Sequence, residues 1–85
     1  MPTISMFYGI IIRMFYNEHL PPHFHAVYNG KDASFDLKGN IIKGKLGIRE
    51  TNLVKAWLEL HREELKANWE LGRNQEPFFK IDPLK

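Results

Sequence analysis

Eighty-five residues, 44% of them hydrophobic and 26% charged, with a formal charge of +2, describe a folded chain rather than a disordered one, and a chain this short is expected to form a single domain around one core. The absence of cysteine excludes a disulfide framework, a thiolate nucleophile and a sulfur-ligated zinc site, which makes the cytoplasm the expected compartment. The most apolar stretch, Ile4 to Tyr16, is interrupted by Arg13 and is too short for a bilayer, so no membrane or export role is expected.

In chain order, the first half predicts strands, because short runs of Ile, Phe, Tyr and Val alternate with turn residues. Ile4 to Phe7 forms an N-terminal strand kinked at Gly9, and Gly9 to Tyr16, His23 to Tyr28, Asp32 to Leu37 and Ile41 to Lys45 follow. Asn29-Gly30 is the favoured pair for a two-residue hairpin turn, and Gly39-Asn40 serves similarly one strand later. His19 to Pro22 is a stiff loop, since each proline removes a backbone donor and biases the residue before it toward extended geometry. The fold class is therefore α+β, an antiparallel β-meander of three to five strands, about 4–45, packed on one long helix in the C-terminal half, about 49–71, with a packing tail about 73–85.

The helix has two unlike faces. At about 100° per residue, Leu53, Val54, Trp57, Leu58, Leu60, Leu65 and Trp69 share a broad side, opposite Lys55, Glu59, Arg62, Glu63, Lys66 and Glu70. Trp57 and Leu60 are expected to be buried against Phe24 and Phe35. His61 and Asn68 project close to the apolar side and need hydrogen-bond partners there, so His61 reads as a structural group. The tail carries Pro77, Phe78, Phe79, Ile81, Pro83 and Leu84, and is expected to pack on the body or on a second copy.

The chemistry concentrates in Asn17-Glu18-His19-Leu20-Pro21-Pro22-His23-Phe24-His25-Ala26, which holds three of the four histidines. Residues two apart in a strand share a face, so His23 and His25 lie side by side and Phe24 and Ala26 point the other way. A two-residue turn at Asn29-Gly30 sets His25 opposite Ser34, His23 opposite Asp36 and Phe24 opposite Phe35. By the same parity Ile10, Ile12, Met14 and Tyr16 join the helix-facing layer, while Arg13 and Phe15 join the histidine face.

Two chemistries suit this surface. One is metal binding, by His23 and His25 with His19 or a carboxylate, Glu18 or Asp36, as third ligand and a divalent ion such as zinc. The other is metal-free proton exchange between His23 and His25 on an RNA phosphodiester, with Arg13 or Lys31 stabilising charge. Against both stands a structural reading, in which histidines beside Pro-Pro close a loop and His25 hydrogen-bonds Ser34.

The chain resembles a bacterial family, domain-of-unknown-function family 4160. The likeness is carried by Pro2-Thr3-Ile4-Ser5, Phe7-Tyr8-Gly9-Ile10, His19-Leu20-Pro21-Pro22-His23-Phe24-His25-Ala26 with Tyr28, Gly44-Lys45-Leu46, and Trp57, Leu60-His61, Glu63-Glu64-Leu65 and Asn68-Trp69. It implies a toxin-antitoxin setting and a small protein partner encoded by an adjacent gene, and it transfers no catalytic residue. Gly47 stands where the resemblance implies a proline.

Two classes of function follow. The first is a toxin-antitoxin-type protein that hydrolyses RNA with His23, His25 and Arg13. The second is a non-catalytic interaction module, using Phe15 and the C-terminal aromatics to contact a partner or a second copy, with structural or metal-binding histidines.

Overall fold

A computed structural model describes residues 2–85. Five strands form one sheet in sequential order: β1 (Thr3–Phe7), β2 (Ile10–Arg13), β3 (His23–Tyr28), β4 (Lys31–Asp36) and β5 (Ile41–Gly44). Every neighbouring pair is antiparallel. A single helix, α1 (Ile48–Arg73), follows, so the architecture is α+β. The helix begins one residue earlier and ends two later than its periodicity predicts.

The β3–β4 hairpin has the expected register, with His23 opposite Asp36, Phe24 opposite Phe35, His25 opposite Ser34 and Tyr28 opposite Lys31. Asn29 and Gly30 take φ of 50° and 81°, the two positive values that a tight hairpin turn requires. Tyr8 and Gly9 do the same, at 50° and 81°. Gly9 is thus half of a turn between β1 and β2, and not a kink. The predicted strand Gly9 to Tyr16 is correspondingly shorter, because β2 stops at Arg13. Past that point parity lapses: Met14 is buried, but Tyr16 leaves the helix-facing layer and stacks on Phe78, ring centroids 4.6 Å apart.

One face of the sheet is sealed. Ile10, Ile12, Phe24, Ala26, Ala33 and Phe35 are buried together with Val54, Trp57, Leu58 and Leu65 of α1. Trp57 lies at the centre, 5.4 Å from the Phe7 ring and 5.7 Å from Phe24. Leu60 departs from expectation, being 69% exposed. The buried stripe runs Val54, Trp57, Leu58, Leu65, Asn68, Trp69 and Gly72, spacings of three, four and seven that return to one line. Leu60 falls about 60° beyond Trp57, outside that line.

His61 lies within the stripe and interrupts the helix there, with φ −127° and ψ 21°. Its Nδ1 is 2.6 Å from Glu64 Oε1 and its ring lies 5.6 Å from Trp57, so it has a polar partner and an apolar contact. The helix starts after Gly47, whose φ of −63° is one that proline also takes.

The tail is tied down at three points. Trp57 Nε1–H donates to the Asp82 carbonyl at 2.8 Å, and the Ile81 N–H donates to the Ile4 carbonyl at 2.8 Å. Asn68 exchanges two bonds with the backbone of Phe79. Ile81 is buried as a result.

Candidate functional site

Strand alternation aims His23 and His25 away from the Phe24 layer, as the sequence predicts. The loop between β2 and β3 then brings a carboxylate to them. Asn17 takes a φ of 59° and reverses the chain, so that Glu18 folds back over the histidines. Glu18 Oε1 lies 2.5 Å from His25 Nε2, and Oε2 lies 3.3 Å from His23 Nε2. One ligand atom from each of the three residues lies within 4.8 Å of the others.

Each imidazole is held from behind. His23 Nδ1 is 2.7 Å from the Pro21 carbonyl oxygen, and His25 Nδ1 is 3.1 Å from Ser34 Oγ. The Pro21-Pro22 step therefore supplies an acceptor that orients a ring. Aromatic contacts fix both rings further: Phe15 meets His25 edge-on at 4.7 Å, and Trp69 of α1 packs on His23 at 5.3 Å. Burial alone would raise the Glu18 carboxyl, but hydrogen bonding and charge from His25, then from His23, outweigh it and hold the group below its ordinary range.

The predicted residues separate into two sets. Glu18, His23, His25 and Ser34 are brought together. His19 is exposed and lies outside the three-residue cluster, so the third ligand atom comes from its neighbour Glu18. Asp36 faces His23 in the ladder, yet its carboxylate accepts the N–H groups of Lys38 and Asn40, both at 2.9 Å, and so fastens the β4–β5 turn instead. Arg13 sits opposite His25 across β2–β3, with its Nε buried and without a hydrogen-bond partner among the described residues. Lys31 pairs with Tyr28, three positions along β4 from Ser34 and so roughly 10 Å away, beyond reach of the pair.

The surface expected at the histidines is partly a buried one, since His23 is only 8% exposed. Trp69 covers it. That contact is missed by strand parity, because it comes from the far end of the helix; the available signal is that Trp69 lies at one margin of the buried stripe.

Comparison with known families matches residues 9–70, which include Glu18, His23, His25 and the supporting Ser34, to a domain of unknown function, DUF4160. The chain belongs to the DUF4160 family. The match spans β2 to β5 and most of α1, so in this DUF4160 member the histidine block, the hairpin that carries it and the helix that covers it all lie within the family unit. No curated protein and no solved structure matches the chain.

Proposed function

We propose that Glu18, His23 and His25 form a divalent-cation site, zinc being the ion that suits two imidazoles and a carboxylate, and that the site hydrolyses RNA phosphodiesters in a toxin-antitoxin setting. The observation that carries this reading is the 2.7 Å contact from His23 Nδ1 to the Pro21 carbonyl. A carbonyl only accepts, so Nδ1 holds the proton, and in a neutral ring Nε2 then turns a lone pair toward Glu18 Oε2 at 3.3 Å. Two facing lone pairs repel, whereas a cation between them binds both. Backing of the distal ring nitrogen by a carbonyl or hydroxyl is also how metal-ligating histidines are oriented. Three protein ligands leave a coordination position for water, whose proton a zinc ion makes easier to lose.

The support for RNA is Arg13, which stands opposite His25 across the sheet, together with Lys38 on the groove that adjoins Pro21 and Trp69; the other two cations of that groove, Arg62 and Lys66, are paired with Glu59 and Glu63. Calorimetric titration with zinc tests the reading. Stoichiometric binding that disappears in the His23→Ala, His25→Ala variant, with RNA cleavage that stops on chelation, is the expected result. Absence of stoichiometric binding would overturn it.

A metal-free route draws on a different contact, that of His25 Nε2 with Glu18 Oε1 at 2.5 Å, which puts the ring and the carboxylate within hydrogen-bond reach. In that route a protonated His25 is the acid and His23 the base, and cleavage survives chelator. The interaction-module reading draws on Phe79, the C-terminal aromatic that stays 39% exposed. Phe15 packs on His25 and Phe78 on Tyr16, so both rings are engaged within the chain. Among the described residues no helix is long and apolar enough to cross a membrane.

A further inference from the structure

We propose that the sheet face turned away from α1 binds a phosphate monoester, with its phosphoryl group over His25 and Ser34 and its organic part on the apolar side chains beside them. The site is drawn from strand register and unpaired charge, and it needs neither a bound metal nor a hydrolytic step.

Residues opposite one another in a ladder share a face of the sheet. Thr3 stands opposite Arg13, Arg13 opposite His25, His25 opposite Ser34 and Ser34 opposite Lys43, so one row crosses all five strands. Every side chain in it is polar. Two residues along β2 and β3, about 7 Å away, runs a second row on the same face, in which Met6 stands opposite Ile11 and Ile11 opposite Val27. That row is apolar over three strands. Met6 is 58% exposed and Ile11 and Val27 are half-buried, so an apolar surface lies open beside the polar row.

The two cations of the polar row are uncommitted. Among the described residues neither Arg13 nor Lys43 forms an ion pair, and Arg13 Nε is buried without an acceptor. The charge of this half-buried guanidinium is left to whatever lies above the sheet. Three carboxylates lie near the row, and none stands in it. Both Glu18 oxygens are turned to imidazole nitrogens, 2.5 Å from His25 and 3.3 Å from His23. Asp36 fastens the β4–β5 turn, and Asp32 is exposed two residues from Ser34 along β4, about 7 Å off.

Arg13 and Lys43 are three strand spacings apart, about 14 Å at the backbone, a span that two long side chains close from both ends over His25 and Ser34. A phosphate monoester brings up to two negative charges and three acceptor oxygens, which match an arginine fork on one side and an ammonium on the other. A carboxylate brings one charge and two oxygens and leaves part of that set unmet. The apolar row then takes the group that the phosphate esterifies, as burial of its surface favours.

Calorimetric titration of the full chain with phenyl phosphate, in the presence of chelator, tests the site. Saturable binding is expected, tighter than that of inorganic phosphate and tighter than that of benzoate. Lys43→Glu should weaken it by at least about tenfold, and Arg13→Lys, which keeps the charge but loses the fork, by a smaller factor. Lys43 is exposed on an outer strand, so unchanged thermal unfolding of its variant shows that the loss comes from the site. Equal affinity in the parent and Lys43→Glu overturns the site, as does the absence of saturable binding. Benzoate bound as tightly as phenyl phosphate would reassign the face to carboxylates, and inorganic phosphate bound as tightly would leave the apolar row without a part; either result overturns the ester. Phenyl phosphate bound by a protein that takes up no zinc and cleaves no RNA leaves this site standing and removes the hydrolytic reading alone.

Discussion

The side chain of Asn68 stands in for a strand: its Nδ2–H donates to the Phe79 carbonyl at 2.9 Å while its Oδ1 accepts the Phe79 N–H at 3.0 Å. Asn68 is fully buried, so these bonds satisfy both side-chain atoms and both backbone groups away from water. They also join α1 to the tail. Asn68→Ala leaves the Phe79 groups without their partners, at an expected cost of about 1–3 kcal/mol for each that stays buried. Urea unfolding measures the loss, and protease cutting in the tail should rise with it.

The helix stripe makes a paired prediction. Trp57 is fully buried and also holds Asp82, so Trp57→Ala should cost about 3–5 kcal/mol or more. Leu60→Ala should stay within about 0.5 kcal/mol of the parent, since Leu60 faces solvent. A large loss at Leu60 in equilibrium unfolding would mean that this surface is covered in solution.

Gly44 should tolerate no side chain. Its φ is +73°, and a Cβ there would lie 2.3 Å from the Asp32 carbonyl oxygen, which the neighbouring strand holds in place. Gly44→Ala is expected to destabilise by more than about 1 kcal/mol, combining strain at positive φ with that clash. Thermal unfolding of the variant checks it.

Asp36 gives a pH dependence. Burial would raise its carboxyl from 3.8, but the Asn40, Lys38 and Gly39 donors outweigh that and lower it. A carboxyl depressed on folding contributes stability that is complete above its unfolded value, about 3.9, and is lost as pH falls through the folded value. Asp36→Asn should therefore lower stability at neutral pH and leave a flatter acid limb below about pH 4 in unfolding titrations.

The proposed zinc site makes a separate prediction at Ser34, which backs His25 without belonging to the cluster. Ser34 touches only the rear nitrogen of His25, so Ser34→Ala should weaken zinc binding by about 10–100-fold without abolishing it. His19→Ala should leave zinc affinity unchanged, because His19 is outside the cluster. Calorimetry on both variants separates a built site from adventitious binding by surface histidines.

How much of this was legible depends on whether a local rule controls the outcome. Asn29-Gly30 admits few geometries, and with the turn set, the opposition of His25 to Ser34 and of Phe24 to Phe35 follows by counting. The turn at Tyr8-Gly9 escaped, because tyrosine rarely takes a positive φ and gives no warning of it. Which of His19, Glu18 and Asp36 joins the two histidines stays open in the sequence for a similar reason. Parity does not pass through the loop after Arg13, and the single left-handed residue Asn17 decides which side chain returns to the sheet. Trp69 over His23 and Arg62 on the Leu37 carbonyl are long-range contacts of the helix, set by where it crosses the sheet rather than by its periodicity.

The two outer strands share one irregularity. On β1, Thr3 faces Arg13 and Ser5 faces Ile12, leaving Ile4 as an extra residue; on β5, Lys43 faces Ser34 and Ile41 faces Phe35, leaving Ile42 extra. A flat outer strand is a template on which further chains can pair, and a bulge spoils the template by bending it and breaking the run of free donors and acceptors. Here the bulged Ile4 also spends its carbonyl on Ile81, and the other margin carries Lys43, a charge that repels its own copy. Although Ile41 and Ile42 are open to solvent, neither border offers a regular row of hydrogen bonds, so the sheet ends at five strands and is guarded against fibrous stacking by its own misfit.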